Sequence, residues 1–151
     1  MDRNELARLT MDALTFAMLG DADRATNALD EIGTSGDPFD MYAACCGFAE
    51  TAKRAMVKVF GREPDLAAGD MWVIEELKPG GLDKDPAKTF AVRFMIAYAN
   101  DDKDTVPALY RAALDAGPER FTESVCALLG DVADLHRLSL KHGEAQPGGA
   151  R

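Results

Sequence analysis

The chain has 151 residues, 47% of them hydrophobic and 28% charged, with a formal net charge of −9. That length suits one domain with a core of its own, and that composition excludes a globally disordered chain. The acidic balance argues against nucleic acid and anionic lipid as partners, because basic residues occur only in small groups such as Arg3 and Arg8, or Lys53, Arg54 and Lys58.

Read in chain order, the pattern is helical throughout. Leu6, Leu9, Ala13, Phe16 and Ala17 mark one face of a first helix, widened by Met11, Leu14 and Met18 and ended by Gly20. Asp21 or Asp23 caps a second helix, with Ala25, Leu29 and Ile32 on one stripe. Asp37-Pro38 is a capping carboxylate followed by a proline at the first helical position. It predicts a long third helix from Pro38 to Phe60, closed by Gly61 and apolar nearly all round at its centre. After a linker holding Pro64, a short helix is predicted over Met71–Leu77, carrying the only tryptophan, Trp72. Pro79, Gly80 and Gly81 break the chain, and Asp85-Pro86 repeats the cap-and-proline start of a fifth helix to about Asn100. A sixth begins near Asp101–Asp104, with Pro107 in its first turn. A seventh runs from Pro118 to about His142, with Phe121, Val125, Leu128, Val132 and Leu135 inward. No segment alternates with period two, so no strand is expected. The expected fold is a single all-α domain of about seven helices over residues 1–142, with a frayed tail over 143–151.

Two stretches resemble each other without a gap at an offset of 80: Ala17 with Ala97, Asp21 with Asp101, Ala28 with Ala108, Leu29 with Leu109, Pro38 with Pro118 and Cys46 with Cys126. Two readings account for this. One is a duplicated three-helix unit over 1–60 and 86–142, joined by a connector at 61–85. The other is chance alignment of helical stretches.

The first copy also resembles a tetratricopeptide repeat over Leu9–Gly33. Ala13, Phe16, Gly20, Asp21, Asp23 and Ala25 stand at spacings like that family's small residue, aromatic, helix-ending glycine and following small residue. The resemblance implies a helical hairpin and a peptide-binding groove. The chain departs from the family where Gly36 and Asp37 stand in place of its proline, and in a third helix too long for the ~34-residue period.

No constellation reads as catalytic or metal-binding, and no cofactor is expected. Cys45 and Cys46 are adjacent, so they point about 100° apart on a helix, and Cys126 and His136 stand about 15 Å apart by helical rise. The three cysteines read as small core hydrophobes in a reducing cytoplasm, and no disulfide framework or membrane span is seen. The function expected is a non-enzymatic interaction domain with a protein partner or self-association. The alternative is a small-molecule binder with an apolar cavity between the two halves. Candidate residues are Phe48, Phe94, Met95 and Tyr98 at that cavity, and Trp72 as either a core lid or an exposed interface anchor.

Overall fold

The computed structural model describes residues 1–77 and 84–145, without the side chains of 76–77 and 143–145. Six helices of eleven residues or more make up the fold: α1 (Arg3–Met18), α2 (Ala22–Ser35), α3 (Pro38–Phe60), α5 (Pro86–Ala99), α6 (Thr105–Asp115) and α7 (Pro118–Ala145). A single-turn helix, α4 (Ile74–Leu77), and a 3-10 turn at Leu66–Ala68 lie in the connector. No strand occurs among the described residues, and none of their helices is long and apolar enough to cross a membrane.

Local chemistry explains the helix ends. Asp37 accepts the Asp40 N–H at 3.0 Å while Asp40 accepts the Asp37 N–H at 2.9 Å, so two orphan donors are satisfied reciprocally at the start of α3. Pro38 occupies the first position, where a missing N–H costs nothing. Asp21 caps α2 through Arg24, and Asp85 caps α5 through Ala87. Asp102, not Asp104, caps α6, accepting the Thr105 N–H at 3.1 Å. The Thr105 hydroxyl, together with that N–H, holds the Asp102 carboxyl below the ordinary carboxylate range.

Two sequence expectations need correction here. The short helix does not begin at Met71: residues 71–73 are irregular, because the main chain of Trp72 is tied to Asn100 instead of to its own turn. The last helix runs on to Ala145, past the expected start of the tail, whose residues 146–151 lie outside those described. Met11 also faces solvent and does not widen the core stripe of α1.

The packing has a hidden symmetry. α1 touches α2, α3 and α7; α5 touches α6, α7 and α3; α2 touches α3, α6 touches α7, and α3 lies along α7. Exchanging α1, α2 and α3 for α5, α6 and α7 leaves this set of contacts unchanged. Burial fixes the register. Leu9, Ala13, Leu14, Ala25, Leu29 and Ile32 are buried, and so are Phe90, Phe94, Met95, Val106, Tyr110 and Ala113, each 81 positions later. Ala44, Cys45, Phe48, Ala49 and Ala52 match the buried Ser124, Val125, Leu128, Leu129 and Val132 at an offset of 80.

Over the first two helices of each half, the buried positions thus correspond at a spacing of 81, not at the spacing of 80 shared by the identical residues. At offset 80, buried Ala13 and Ile32 would fall on exposed Arg93 and Ala112. The second half is one residue shorter before Pro118. The identities at Ala17, Asp21, Ala28 and Leu29 are out of structural register, while Pro38/Pro118 and Cys46/Cys126 remain in it. The turn hydrogen bonds agree. Asp21 N–H donates to Phe16 C=O at 2.8 Å, and Asp102 N–H donates to Ala97 C=O at 2.9 Å, again 81 apart.

Candidate functional site

α3 and α6 flank each other without packing closely, and the gap between them is the main candidate site. Side chains bridge it. Tyr110 on α6 reaches over to donate its hydroxyl to the Pro38 carbonyl at 2.6 Å, and its ring meets Tyr42 edge-on at 5.0 Å. The far side of the Tyr110 ring rests on Phe121 of α7 at 5.4 Å. These contacts divide the gap into two clefts that share Tyr42.

The first cleft, of 260 Å³, is almost wholly apolar: Pro38, Phe39 and Tyr42 from α3 face Pro107, Tyr110 and Leu114 from α6, with Arg111 beside them. Phe39 stands on its rim and is 82% exposed, the most exposed large hydrophobic side chain of those described. A proline at Pro107 in the first turn of α6 leaves no N–H to satisfy there, so an apolar wall is tolerated.

The second cleft, of 310 Å³, runs on from Tyr42 past Cys46 and Lys53 of α3, facing Tyr98 and the α5–α6 turn at Asp101, Asp102 and Lys103. Tyr98 donates to Glu50 at 2.9 Å, and Glu50 also pairs with Arg54 at 3.2 Å. Lys53 forms no ion pair among the described residues. Asp101 has φ of +56°, the one non-glycine in the left-handed region among the described residues. Its first-half counterpart is Gly20, at +78°. The aspartate side chain tolerates the left-handed region better than most, but its Cβ still costs about 1–2 kcal/mol there. From Phe39 to Lys53 the wall of α3 extends about 21 Å at 1.5 Å per residue.

Burial governs the ionisable groups of this groove. It pushes the Tyr42 hydroxyl up to about 12, helped by the neighbouring Cys46, and the Tyr98 hydroxyl up to about 12, helped by Glu50. Burial also pushes up the Tyr110 hydroxyl and the Cys45 and Cys46 thiols. In Cys46 the hydrogen bond from Tyr42 opposes that rise without cancelling it. An activated nucleophile needs a shift in the opposite direction, towards a depressed pKa.

A pH prediction follows from the tyrosines. Their folded values lie above the free value of 10.0, so the neutral phenols stabilise the fold below about pH 10. That stability is lost as pH rises from about 10 towards 12, where the unfolded chain ionises first. Native protein is expected to show no phenolate absorbance step near pH 10; the step should coincide with loss of helical circular dichroism. A separate phenolate titration near pH 10 in folded protein would contradict the shielding of these hydroxyls.

The five residues expected from sequence fall in different places. Phe48, Phe94 and Met95 are sealed in the main core and line none of the clefts described here. Tyr98 alone of the five lines one. Trp72 is 2% exposed, so it is no surface anchor; it caps a second cluster of Met56, Val92, Ile96 and Ala99. Cys126 is exposed, not a core hydrophobe, while Cys45 is buried and Cys46 half-buried. Among the described residues, no three His, Cys, Asp or Glu side chains gather as a metal site. Sequence reasoning missed Phe39, Tyr42, Pro107 and Tyr110. The signal available was weak: a phenylalanine directly after Pro38, flanked by Asp37 and Asp40, sits off the apolar stripe of its helix.

No family model, no curated protein and no solved structure matches the chain.

Proposed function

We propose that the chain is a non-enzymatic helical interaction domain, and that the α3–α6 groove takes a segment of a partner protein. The observation that carries this is Phe39: a large apolar side chain held in solvent at the rim of an apolar cleft, at a cost that a partner's contact would offset. The groove's length, about 21 Å, suits a helix of roughly four turns laid between α3 and α6. Asp37 and Asp40 beside Phe39, Asp101 and Asp102 at the far end, and a net charge of −9 favour a basic amphipathic segment over a second acidic copy of this chain. The exchange symmetry of the helix contacts and the matched burial support a further reading, that the halves are copies of one three-helix unit. The α1–α2 hairpin, over Leu9–Gly33, is the part whose spacing resembles a tetratricopeptide repeat.

Selection from a random peptide library on the intact protein tests the groove. Selected peptides should be basic and amphipathic. Phe39→Glu should weaken them about tenfold or more, as loss of an interface anchor of ~1.4 kcal/mol or more does. Leu140→Glu, at another exposed hydrophobic position, should leave binding unchanged. Both positions are exposed, so both variants should keep the parent's melting temperature. Peptides indifferent to Phe39→Glu would refute the groove as the docking surface.

A further inference from the structure

A third cavity, an open cleft, lies on the opposite side of α6, lined by α5, α6 and α7, with a volume of 360 Å³. Its walls are apolar where Phe90, Leu109 and Ala113 meet. Five polar side chains break that lining: Thr89, Arg93, Arg120, Glu123 and Ser124. Arg93 from α5 and Arg120 from α7 both reach it, and neither forms an ion pair or hydrogen bond among the described residues. Both are exposed, as are Arg3 and Arg111, which likewise form no ion pair among the described residues, whereas Arg8, Arg24, Arg54, Arg62 and Arg137 pair with carboxylates. Ser124, 7% exposed as a residue, adds a hydroxyl to the lining. The other buried polar residue, Ser139, donates to the His136 carbonyl at 2.6 Å.

The register of the two halves sharpens the contrast. Ser124 corresponds to Ala44, Arg120 to Asp40 and Arg93 to Asp12. In the first half Ala44 is packed into the core, and Asp40 lies 3.6 Å from the amino group of Met1, which itself packs on that core. The second half therefore carries cations and a hydroxyl where the first carries acids and a methyl.

We infer that this cavity is a binding site for a small amphipathic carboxylate, its apolar body against Phe90, Leu109 and Ala113 and its carboxylate towards Arg93, Arg120 and Ser124. Guanidinium forks match a carboxylate's two oxygens, and a serine hydroxyl adds a third donor. Glu123 also lines the cavity, so two arginines and one glutamate leave a single positive charge, which a monoanion neutralises and a dianion overshoots. The volume lies at the small end of the ~300–1,000 Å³ usual for small-molecule sites. The inference is independent of the groove between α3 and α6.

Titration of the full chain with octanoate, followed by amide chemical shifts, tests it. Saturable shifts are expected at Phe90, Ala113 and Ser124. Octan-1-ol has the same body without the charge, and acetate the charge without the body; each should bind about tenfold more weakly or less. Arg93→Gln and Arg120→Gln, at exposed helix positions that folding tolerates, should each weaken octanoate about tenfold, and Ser124→Ala about threefold. Octan-1-ol binding as well as octanoate, arginine variants binding like the parent, or octanoate shifts confined to the α3–α6 groove would each overturn the assignment.

Discussion

Replacing Trp72 by alanine is expected to destabilise the protein by about 3–5 kcal/mol, the range for losing a buried large aromatic. The side chain closes a small cluster between α3 and α5, against Met56, Val92 and Ile96. Phe60 meets its ring at 5.7 Å, and the Arg62 guanidinium lies over it at 4.8 Å. The attachment is also polar. Asn100 accepts the Trp72 N–H at 2.7 Å and donates to the Trp72 carbonyl at 2.9 Å, so one amide pins an otherwise irregular segment. Asn100→Ala should thus cost about 1–3 kcal/mol through the groups left unpaired. Urea unfolding followed at 222 nm checks both, since the fluorophore itself is lost in one. The melting temperature should fall by about 2–4 °C per kcal/mol in a chain of this size. A Trp72→Ala cost below about 1 kcal/mol would mean that the connector rests on the bundle without sealing it.

Phe94→Ala should be comparably damaging, at about 3–5 kcal/mol. Phe94 is fully buried on α5, with Phe90 at 5.3 Å, in the same core as the fully buried Phe48 of α3. The experiment also decides between two pictures of the centre. A preformed ligand cavity there would absorb the truncation, with a loss below about 1 kcal/mol, because its walls already lack partners on one side. A packed centre gives the full penalty, and Phe48→Ala should then match it. Leu140→Ala, exposed on α7, should stay within ±0.5 kcal/mol and serves as the control.

Much of the fold was legible because its punctuation is local. Asp37-Pro38 and Asp85-Pro86 start helices by chemistry confined to a few adjacent residues, and Gly61 ends one with φ of +68°. Pro38–Phe60 could be read to the residue for that reason. The connector could not be read so well. Whether Trp72 belonged to a helix turned on Asn100, 28 positions away, and periodicity carries no information about such a partner.

The candidate sites were harder still. Phe48, Phe94 and Met95 looked like cavity linings because apolar residues on facing helices are equally suited to lining a space or filling it. No sequence pattern marked Tyr42 or Tyr110, yet their rings bridge two helices that do not otherwise pack closely. The repeat shows the same limit. Identical letters at offset 80 drew the alignment one residue away from the register in which the buried faces correspond.

The sequence by itself determined that the chain is all helical, where most helices start and stop, and which stripes of each are apolar. Those follow from caps, prolines and the 3.6-residue period, all interactions within a few positions. Only the tertiary structure decided which stripes meet. It closed the centre over Phe48 and Phe94, buried Trp72, and left α3 and α6 apart with Phe39 at the edge of the gap. It also brought Arg93, Arg120 and Ser124 to one cavity. These outcomes depend on how helices distant in sequence stack, and no residue carries that instruction alone.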